Sequence, residues 1–458
     1  MAEQLRPEDR SSLQSEVGPV NMAVGGLLVF EGGDGTSYDA VADRLDRRLH
    51  LVPKYRQRLR TAPLGPLSGP VWVDDDAFDL HWHLRRATVS GFADLQAYVA
   101  RDMSRKLDRS RPLWEVHVVD GLPDGRRALW AKMHHALVDG IAAVGIAMLL
   151  LDPTPEPMEL PEPEEEWQPR GYDLRSHLQA MARTPLDRAG RFMWQRTLRA
   201  MDPNPWRAAE EWRSAADLFG ELARSRPQAP MTPLNRPIGP NRRFATASVE
   251  LGRLKAAGRG AGGTVNDALL AVVAGALRDY LVAAGTDLRG RDPVALVPVS
   301  TRREDEGHTV GNRVSTVFVD LPVDEADAAA RVRRISSQMR DVRRSAAIRA
   351  GELIAGATGQ VPPLVSTILV RAIGNVRAMN LVVSNLPGPQ QPFYMNGSRM
   401  QEVYPVVPLN PANQGLTIGI LSYDGMVFVG LLADAKLDPP VEVIADALQA
   451  HFDALAKG

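Results

Sequence analysis

The chain has 458 residues, more than one hydrophobic core usually organises, so two domains or pseudo-domains are expected. Hydrophobic residues make up 44% and charged residues 24%, and a net charge of -1 gives no reason to expect nucleic acid as a partner. The absence of cysteine excludes a disulfide framework, a thiolate metal site and an acyl-cysteine intermediate.

The first half of the chain predicts a sheet covered by helices. Strands are expected at residues 20–30, 71–73 and 112–120, and amphipathic helices at 37–49 and 92–107. Gly25 and Gly26 interrupt the first strand, where another part of the chain should approach closely. No signal peptide is expected, because charges occur throughout the N-terminal region, and no window reaches the roughly 18 apolar residues of a membrane span.

The next strand ends in two histidines and leads into a helix. His134, His135, Asp139 and Gly140 form the pattern His-His-x-x-x-Asp-Gly. Successive side chains on a strand point to opposite faces, so only one histidine can face a given cavity. A neutral imidazole in a cleft is a good general base near pH 7. Taken alone, however, a strand-end histidine is usually structural, and an aspartate before an apolar helix is usually an N-cap.

A proline-rich acidic stretch at residues 152–169 predicts a solvated linker. Beyond it, helices are expected at 173–200, 207–224, 264–284, 325–347 and 441–456, and strands at 243–251, 294–299, 313–321, 380–384, 415–422 and 427–433. The chain therefore divides into an N-terminal domain (1–170), a helical connector (171–240) and a C-terminal domain (241–458). Strands and helices mix without strict alternation, which favours two similar α+β units that face each other.

The helix expected at residues 264–284 begins with Asn266 and Asp267. One interpretation is capping, with Thr264 or Asn266 as the N-cap and an acidic residue favoured by the helix dipole. The other is that a carboxamide at the helix start reaches the cavity and polarises a substrate oxygen. The residues alone leave both open.

Two further segments are ordinary by themselves. Pro112, Leu113 and Trp114 predict a strand start with a buried tryptophan, and Ser384 and Asn385 precede a Pro-Gly-Pro turn. Other motifs are discounted. The glycines at 258, 260 and 263 follow a helical segment rather than a strand, His81 and His83 have no third metal ligand, and no Gly-x-Ser-x-Gly elbow occurs. The arginines of residues 331–349 form either a solvated helix face or a phosphate contact.

Together, these motifs resemble those of the bacterial wax ester synthase/acyl-CoA:diacylglycerol acyltransferases, within the wider His-His-x-x-x-Asp-Gly acyltransferases. The resemblance implies an α+β fold of two chloramphenicol acetyltransferase-like α/β sandwich domains with a tunnel between them. It also implies transfer of a long acyl chain from acyl-CoA to diacylglycerol or a fatty alcohol. No cofactor besides the acyl-CoA donor, no metal and no acyl-enzyme are expected.

The resemblance also assigns roles to residues. His135 would be the general base, His134 would pack behind it, and Asp139 with Gly140 would shape the loop, where Arg56 or Arg58 is the candidate partner of Asp139. Substrate contacts would come from Asn266, Asp267, Pro112, Leu113, Trp114, Ser384 and Asn385. The rivals are a condensation-type enzyme that uses a carrier-protein thioester and a non-enzymatic lipid-surface protein. The expected location is cytoplasmic, peripheral at the inner membrane or a lipid-droplet surface, and a homodimer is a possible assembly.

Overall fold

The computed structural model describes residues 3–5, 7–61, 70–137, 150–158, 167–171, 228–300, 314–344, 378–411 and 413–454. The strands of the first half are β1 (Glu3–Gln4), β2 (Ala23–Phe30), β3 (Gln57–Thr61), β4 (Pro70–Asp74), β5 (Leu84–Thr88), β6 (Trp114–Asp120) and β7 (Arg127–His134). Its helices are α1 (Pro7–Ser15), α2 (Tyr38–Arg48), α3 (Leu80–His83) and α4 (Phe92–Met103).

The second half has eight strands and four helices among the described residues. The strands are β8 (Arg242–Glu250), β9 (Val294–Ser300), β10 (Val314–Asp320), β11 (Leu381–Leu386), β12 (Tyr394–Met395), β13 (Ser398–Val406), β14 (Leu416–Tyr423) and β15 (Met426–Asp434). The helices are α5 (Leu251–Gly260), α6 (Val265–Ala283), α7 (Ala328–Arg344) and α8 (Val441–Ala454). The elements predicted from hydrophobic periodicity are present wherever the structure describes them, with shifts of one to a few residues at their ends.

Two mixed six-stranded sheets organise the chain, in the orders β12-β13-β2-β7-β6-β5 and β10-β9-β11-β14-β15-β8. A smaller antiparallel sheet has the order β1-β4-β3. Each large sheet has its own hydrophobic core, the first around Trp72, Trp114 and Trp130 and the second around the buried helix α6. The α+β class and the two-unit architecture are thus confirmed, while the tunnel between the units stays a prediction.

Strand β13 comes from the second half of the sequence but belongs to the first sheet. It pairs antiparallel with β2, with Pro405 opposite Gly26 and a register shift between Met400 and Glu402. It also contacts β14 and β15 of the second sheet, where a Cβ on Gly430 would lie 2.1 Å from the Pro405 carbonyl oxygen and one on Gly419 would lie 3.0 Å from it. The sequence did not predict β13, because an internal proline and a bulge break the pattern of a strand. This exchange joins the two halves.

One prediction about a surface segment is corrected by the structure. The linker was expected to be solvated from residue 152, but Asp152 is 0% exposed and pairs with Arg44 at 2.6 Å and Arg48 at 2.8 Å. Exposure begins only at Pro153. Most of the expected connector, residues 172–227, lies outside the described residues, and residues 228–240 form no helix.

The arginine-rich helix α7 is not a uniform solvated face. Arg331 is 2% exposed and donates hydrogen bonds to the carbonyl oxygens of Ala271, Glu325 and Ala326. Arg334 pairs with Asp292 and Asp324. By contrast, Arg333 and Arg340 are exposed and, seven residues apart, share one helix face.

Within the described residues, no single helix is long and apolar enough to cross a membrane. Helices α5 and α6, which are bent by 94° relative to each other, meet those criteria only as a pair.

The close approach predicted at the glycines of β2 occurs at Gly25. A Cβ there would lie 2.2 Å from the Trp130 ring and 2.7 Å from the Ala131 carbonyl oxygen, whereas at Gly26 it would only touch Leu28 at 3.5 Å. Because backbone cannot yield as a side chain can, we expect Gly25→Ala to lower the free energy of unfolding by about 1–3 kcal/mol. Gly26→Ala is the matched control and should change it much less. Denaturant unfolding of both variants measures this, and equal losses would contradict the assignment.

Candidate active site

Both histidines lie where β7 leaves the sheet between β2 and β6. The backbone N–H of His134 donates to the Leu113 carbonyl at 2.9 Å, and that of His135 donates to the Met22 carbonyl at 3.0 Å. Leu137 N–H then returns to the His134 carbonyl at 2.8 Å, which closes a turn. The main chain on both sides of the pair is therefore held by neighbouring strands.

The two rings differ in environment. His134 is 1% exposed, and its Nδ1 accepts the Ala136 N–H at 3.0 Å. An imidazole nitrogen that accepts a hydrogen bond carries no proton, so neutral His134 has its proton on Nε2. That buried Nε2 faces the Glu16 Oε1 at 3.6 Å, slightly beyond hydrogen-bonding distance. His135, in contrast, is only partly buried.

Glu16 follows helix α1 and its carboxylate is buried beside the histidines. Its Oε1 accepts the Met22 N–H at 3.1 Å, and its Oε2 accepts from Arg109 at 2.8 Å. Burial alone raises the pKa of the Glu16 carboxyl, but His134, the Met22 N–H and Arg109 outweigh it and lower the pKa to about 2. Glu16 is therefore an anion at neutral pH.

The Pro112–Leu113–Trp114 segment supports this site from the other strand. Leu113 and Trp114 are buried, and the Trp114 indole N–H donates to the Tyr55 carbonyl at 2.8 Å. His83 is buried, stacks on Trp114 at 4.4 Å and donates to its carbonyl at 2.7 Å. A small apolar cavity on this face is bounded by Tyr55, Trp114 and Met133, among others. The role of this segment in substrate binding stays a prediction.

Behind β7, a lysine and an aspartate form a buried pair. Lys132 is 1% exposed, lies 3.3 Å from the Asp102 carboxylate and donates to the Asp102 and Arg105 carbonyls at 2.7 Å. Trp130 also donates to Asp102, at 2.8 Å. Burial lowers the pKa of Lys132 despite the aspartate, and the pKa of Asp102 falls because Lys132 and His117 outweigh the effect of burial. These bonds hold the end of α4 against the strand that carries the histidines.

Among the described residues, one group of three side chains has the spacing of a metal site: Asp102, Glu115 and His117. Their ligand atoms lie within 4.8 Å of one another. Lys132 and Arg105, the latter 2.5 Å from Asp102, already bring positive charge to this carboxylate, and the His117 Nδ1 lies 2.7 Å from the Tyr98 hydroxyl. The group is therefore better explained as a protein ion network than as a metal centre.

The start of α6 shows which residue caps the helix, while the expected substrate contact of Asn266 stays a prediction. Thr264 is the N-cap, and it forms a capping box with Asp267, whose carboxylate accepts the Thr264 N–H at 2.8 Å. Asn266 is not the cap. Its side-chain oxygen accepts a hydrogen bond from Asn385 Nδ2 at 3.1 Å, which joins α6 to the end of β11.

The Ser384-to-Pro389 and Ser422-to-Gly425 segments meet at the second sheet. Gly388 N–H donates to the Ser422 hydroxyl at 3.2 Å, and Asp424 N–H donates to the Pro389 carbonyl at 3.1 Å. A side chain on Gly388 would lie 2.2 Å from the Ser422 carbonyl oxygen, so glycine is needed there. Ser384 and Asn385 are neighbours on β11 and point to opposite faces, so they serve different surroundings.

Asp139 and Gly140 lie outside the described residues, so the structure does not test their roles. Of the two arginines suggested as partners for Asp139, Arg58 pairs with Asp75 and Asp76, each at 3.2 Å. The Arg56 guanidinium lies over the Trp167 ring at 5.0 Å. The two groups of candidate residues lie at different sheets. His134 and His135 are at the end of a strand of the first sheet, whereas Asn385, which bonds Asn266, is on a strand of the second.

Sequence reasoning missed Glu16, Asp102 and Lys132. A signal existed for Lys132, because a lysine inside an otherwise apolar strand requires a buried partner. Glu16 carried no comparable signal, since it lies 118 positions before His134 and only the fold brings them together.

The fold and the paired histidines define a class of protein, the chloramphenicol acetyltransferase-like acyltransferases. A condensation domain of the CDA synthetase has the same fold, with a TM-score of 0.57 at 15% identity over 100% of this chain and 96% of that chain. A wax ester synthase/diacylglycerol acyltransferase from Marinobacter aquaeolei VT8 is more similar: its TM-score is 0.68 at 28% identity, over 99% of this chain and 98% of that one.

The family follows from the sequence comparisons. The wax ester synthase/diacylglycerol acyltransferase catalytic domain matches residues 5–269, and the C-terminal domain of the same family matches residues 310–456. A probable diacylglycerol O-acyltransferase of Mycobacterium tuberculosis is 31% identical over 99% of this chain and 98% of its own length. A second one from this organism is 31% identical over 94% of this chain and 89% of its own. The chain belongs to the wax ester synthase/diacylglycerol acyltransferase family and is an O-acyltransferase.

The low pKa of Glu16 predicts a pH-dependent contribution to stability. Because the folded-state value lies below the ordinary value of 4.5, the native protein binds fewer protons than the unfolded chain between those pH values. The stabilisation by Glu16 is therefore complete above about pH 5 and is lost as pH falls towards 2. We expect the difference in unfolding free energy between wild type and Glu16→Gln to shrink over this range. A difference independent of pH would contradict the ionised carboxylate.

Proposed function

We propose that this enzyme transfers a long-chain acyl group from acyl-CoA to the hydroxyl of diacylglycerol or a fatty alcohol, with His135 as the general base. The contrast between the two histidines carries the proposal. His134 is buried and its Nδ1 is engaged by the turn, whereas His135 is partly exposed at the end of the same strand. The names of the family and of its relatives support the substrate classes.

In the proposed reaction, His135 removes the proton of the acceptor hydroxyl as its oxygen attacks the thioester carbonyl. The carbon–sulfur bond then breaks, and the proton passes to the departing thiolate, which gives an ester and free CoA. Transfer is direct, without an acyl-enzyme, and the chain has no cysteine to carry one. No cofactor other than the acyl donor takes part.

Asn266 is proposed to support the acceptor or the developing oxyanion. Its oxygen accepts from Asn385, so its Nδ2 is the donor end of the amide and is oriented by that bond. A donor held in place before the reaction stabilises negative charge in the transition state more effectively than a mobile one. Asp267, which forms the capping box with Thr264, would fix the position of Asn266, and Leu113, whose carbonyl accepts the His134 N–H, would fix that of His134. Asp139 is proposed to shape the loop after His135.

We expect His135→Ala to lower the rate of transfer by about 10²–10⁴-fold or more with little change in unfolding temperature, because only the proton-transfer group is lost. His134→Ala should cost more stability and less chemistry, since its ring bonds the turn. The assay follows free CoA from palmitoyl-CoA with hexadecanol or with diolein, which also separates the two acceptors.

An inactive but fully folded His134→Ala together with an active His135→Ala would reverse the assignment. Faster turnover with an acyl-carrier thioester than with acyl-CoA would favour the condensation-type rival. Lipid binding without turnover by either donor would favour a non-enzymatic lipid-surface protein.

The enzyme is further proposed to act peripherally at the inner membrane or at a lipid droplet, because its proposed acceptors and products are insoluble in water. The exposed face of α7 with Arg333 and Arg340 is a candidate contact. Each cation near an anionic surface contributes on the order of 1 kcal/mol.

The double variant Arg333→Glu with Arg340→Glu should reduce flotation with anionic vesicles at low salt. The control double variant, Arg86→Glu with Arg170→Glu in the first half, should not. Equal recovery of all proteins on anionic and neutral vesicles would rule out this contact.

A further inference from the structure

Helix α1 delivers a buried carboxylate to the histidine pair, and no sequence motif assigns a role to it. The Glu16 side chain is 2% exposed. One of its oxygens accepts the Met22 N–H at 3.1 Å and lies 3.6 Å from the His134 Nε2, and the other accepts from Arg109. The Lys106 ammonium donates to the Glu16 backbone carbonyl at 3.3 Å, so the residue is fixed at both its side chain and its main chain.

Two routes lead from this carboxylate to His135. The first passes through Met22, whose N–H donates to Glu16 and whose carbonyl accepts the His135 N–H at 3.0 Å. The second passes through His134, whose Nε2–H faces Glu16 while its Nδ1 accepts the N–H of Ala136. The main chain of His135 is therefore held at its own N–H, by Met22, and at the next N–H, that of Ala136, by the His134 ring.

We propose that Glu16 is a positioning residue for His135, acting through Met22 and the His134 ring without contacting substrate. This inference rests on the proposed role of His135 as general base. The side chain suits this task because one acceptor oxygen, Oε1, faces both the Met22 N–H and the protonated nitrogen of His134. That leaves the other nitrogen as the acceptor that the turn requires. Displacing a catalytic group by about 1 Å can cost about 10²-fold in rate, so the effect should appear in catalysis.

The test compares Glu16 variants with Leu13→Ala, which removes buried packing of α1 three residues earlier. The leucine side chain has no polar atom, so this variant removes no hydrogen bond to Met22 and no charge beside His134. Glu16→Ala should lower kcat by about tenfold to a hundredfold with the KM for palmitoyl-CoA nearly unchanged. Leu13→Ala should lower the unfolding temperature and leave kcat close to that of wild type. An equal loss of kcat in both variants would show that Glu16 only anchors the helix, and the proposal would fail.

Two conservative variants keep the proposal testable if Glu16→Ala does not fold. Glu16→Gln keeps an oxygen that can accept the Met22 N–H and should recover most of kcat. Glu16→Asp keeps the charge but is one methylene shorter, so it cannot reach Met22 and His134 together and should resemble the alanine variant. Full activity of Glu16→Asp would overturn the proposal.

A double mutant separates this inference from the function on which it rests. If Glu16 acts through His135, Glu16→Ala should have little further effect on the residual rate of His135→Ala. A further loss as large as that in the wild-type background would contradict the route through His135. An undiminished rate in His135→Ala alone would instead refute the general-base assignment.

Discussion

The site depends on the main-chain hydrogen bonds that hold the turn after β7. In this turn, Leu113 accepts from His134, Met22 accepts from His135, and the His134 ring accepts from Ala136. A strand end normally frays because its last amides lack partners. Here the flanking strands and a side chain provide those partners, so a partly exposed histidine can be held in one position without being buried.

Holding that turn involves charged side chains inside the protein, and these have partners. Lys132 and Asp102 pair behind the strand, while Glu16 is surrounded by Arg109, His134 and the Met22 N–H. A buried charge without a partner would cost several kcal/mol, whereas a paired and hydrogen-bonded one contributes little net stability. Such networks therefore act mainly on geometry, because they tie α1 and α4 to the edges of the site.

The two halves are joined by a strand that the second half of the sequence contributes to the first sheet. Strand β13 adds to the first sheet through β2, and Pro405 lies against glycines of the second sheet. Further bonds link α4 to β8, where Gln96 donates to Thr246 at 2.9 Å. The histidine pair and the Asn266–Asn385 pair lie on separate sheets, so this junction sets how the two pairs are placed relative to each other.

Local pattern alone predicted many of the secondary elements, although not β13, because hydrophobic periodicity, caps and turn residues act over a few positions. It also placed His135 at a strand end and Asn266 at a helix start, and the family resemblance brought in Asn385. What only the tertiary structure decided were the contacts between distant segments: Glu16 against His134, Asn266 against Asn385, and β13 in the sheet of the other half. The physical reason is that burial and pairing depend on which segments pack together, so a buried carboxylate such as Glu16 looks, in sequence, like any surface glutamate.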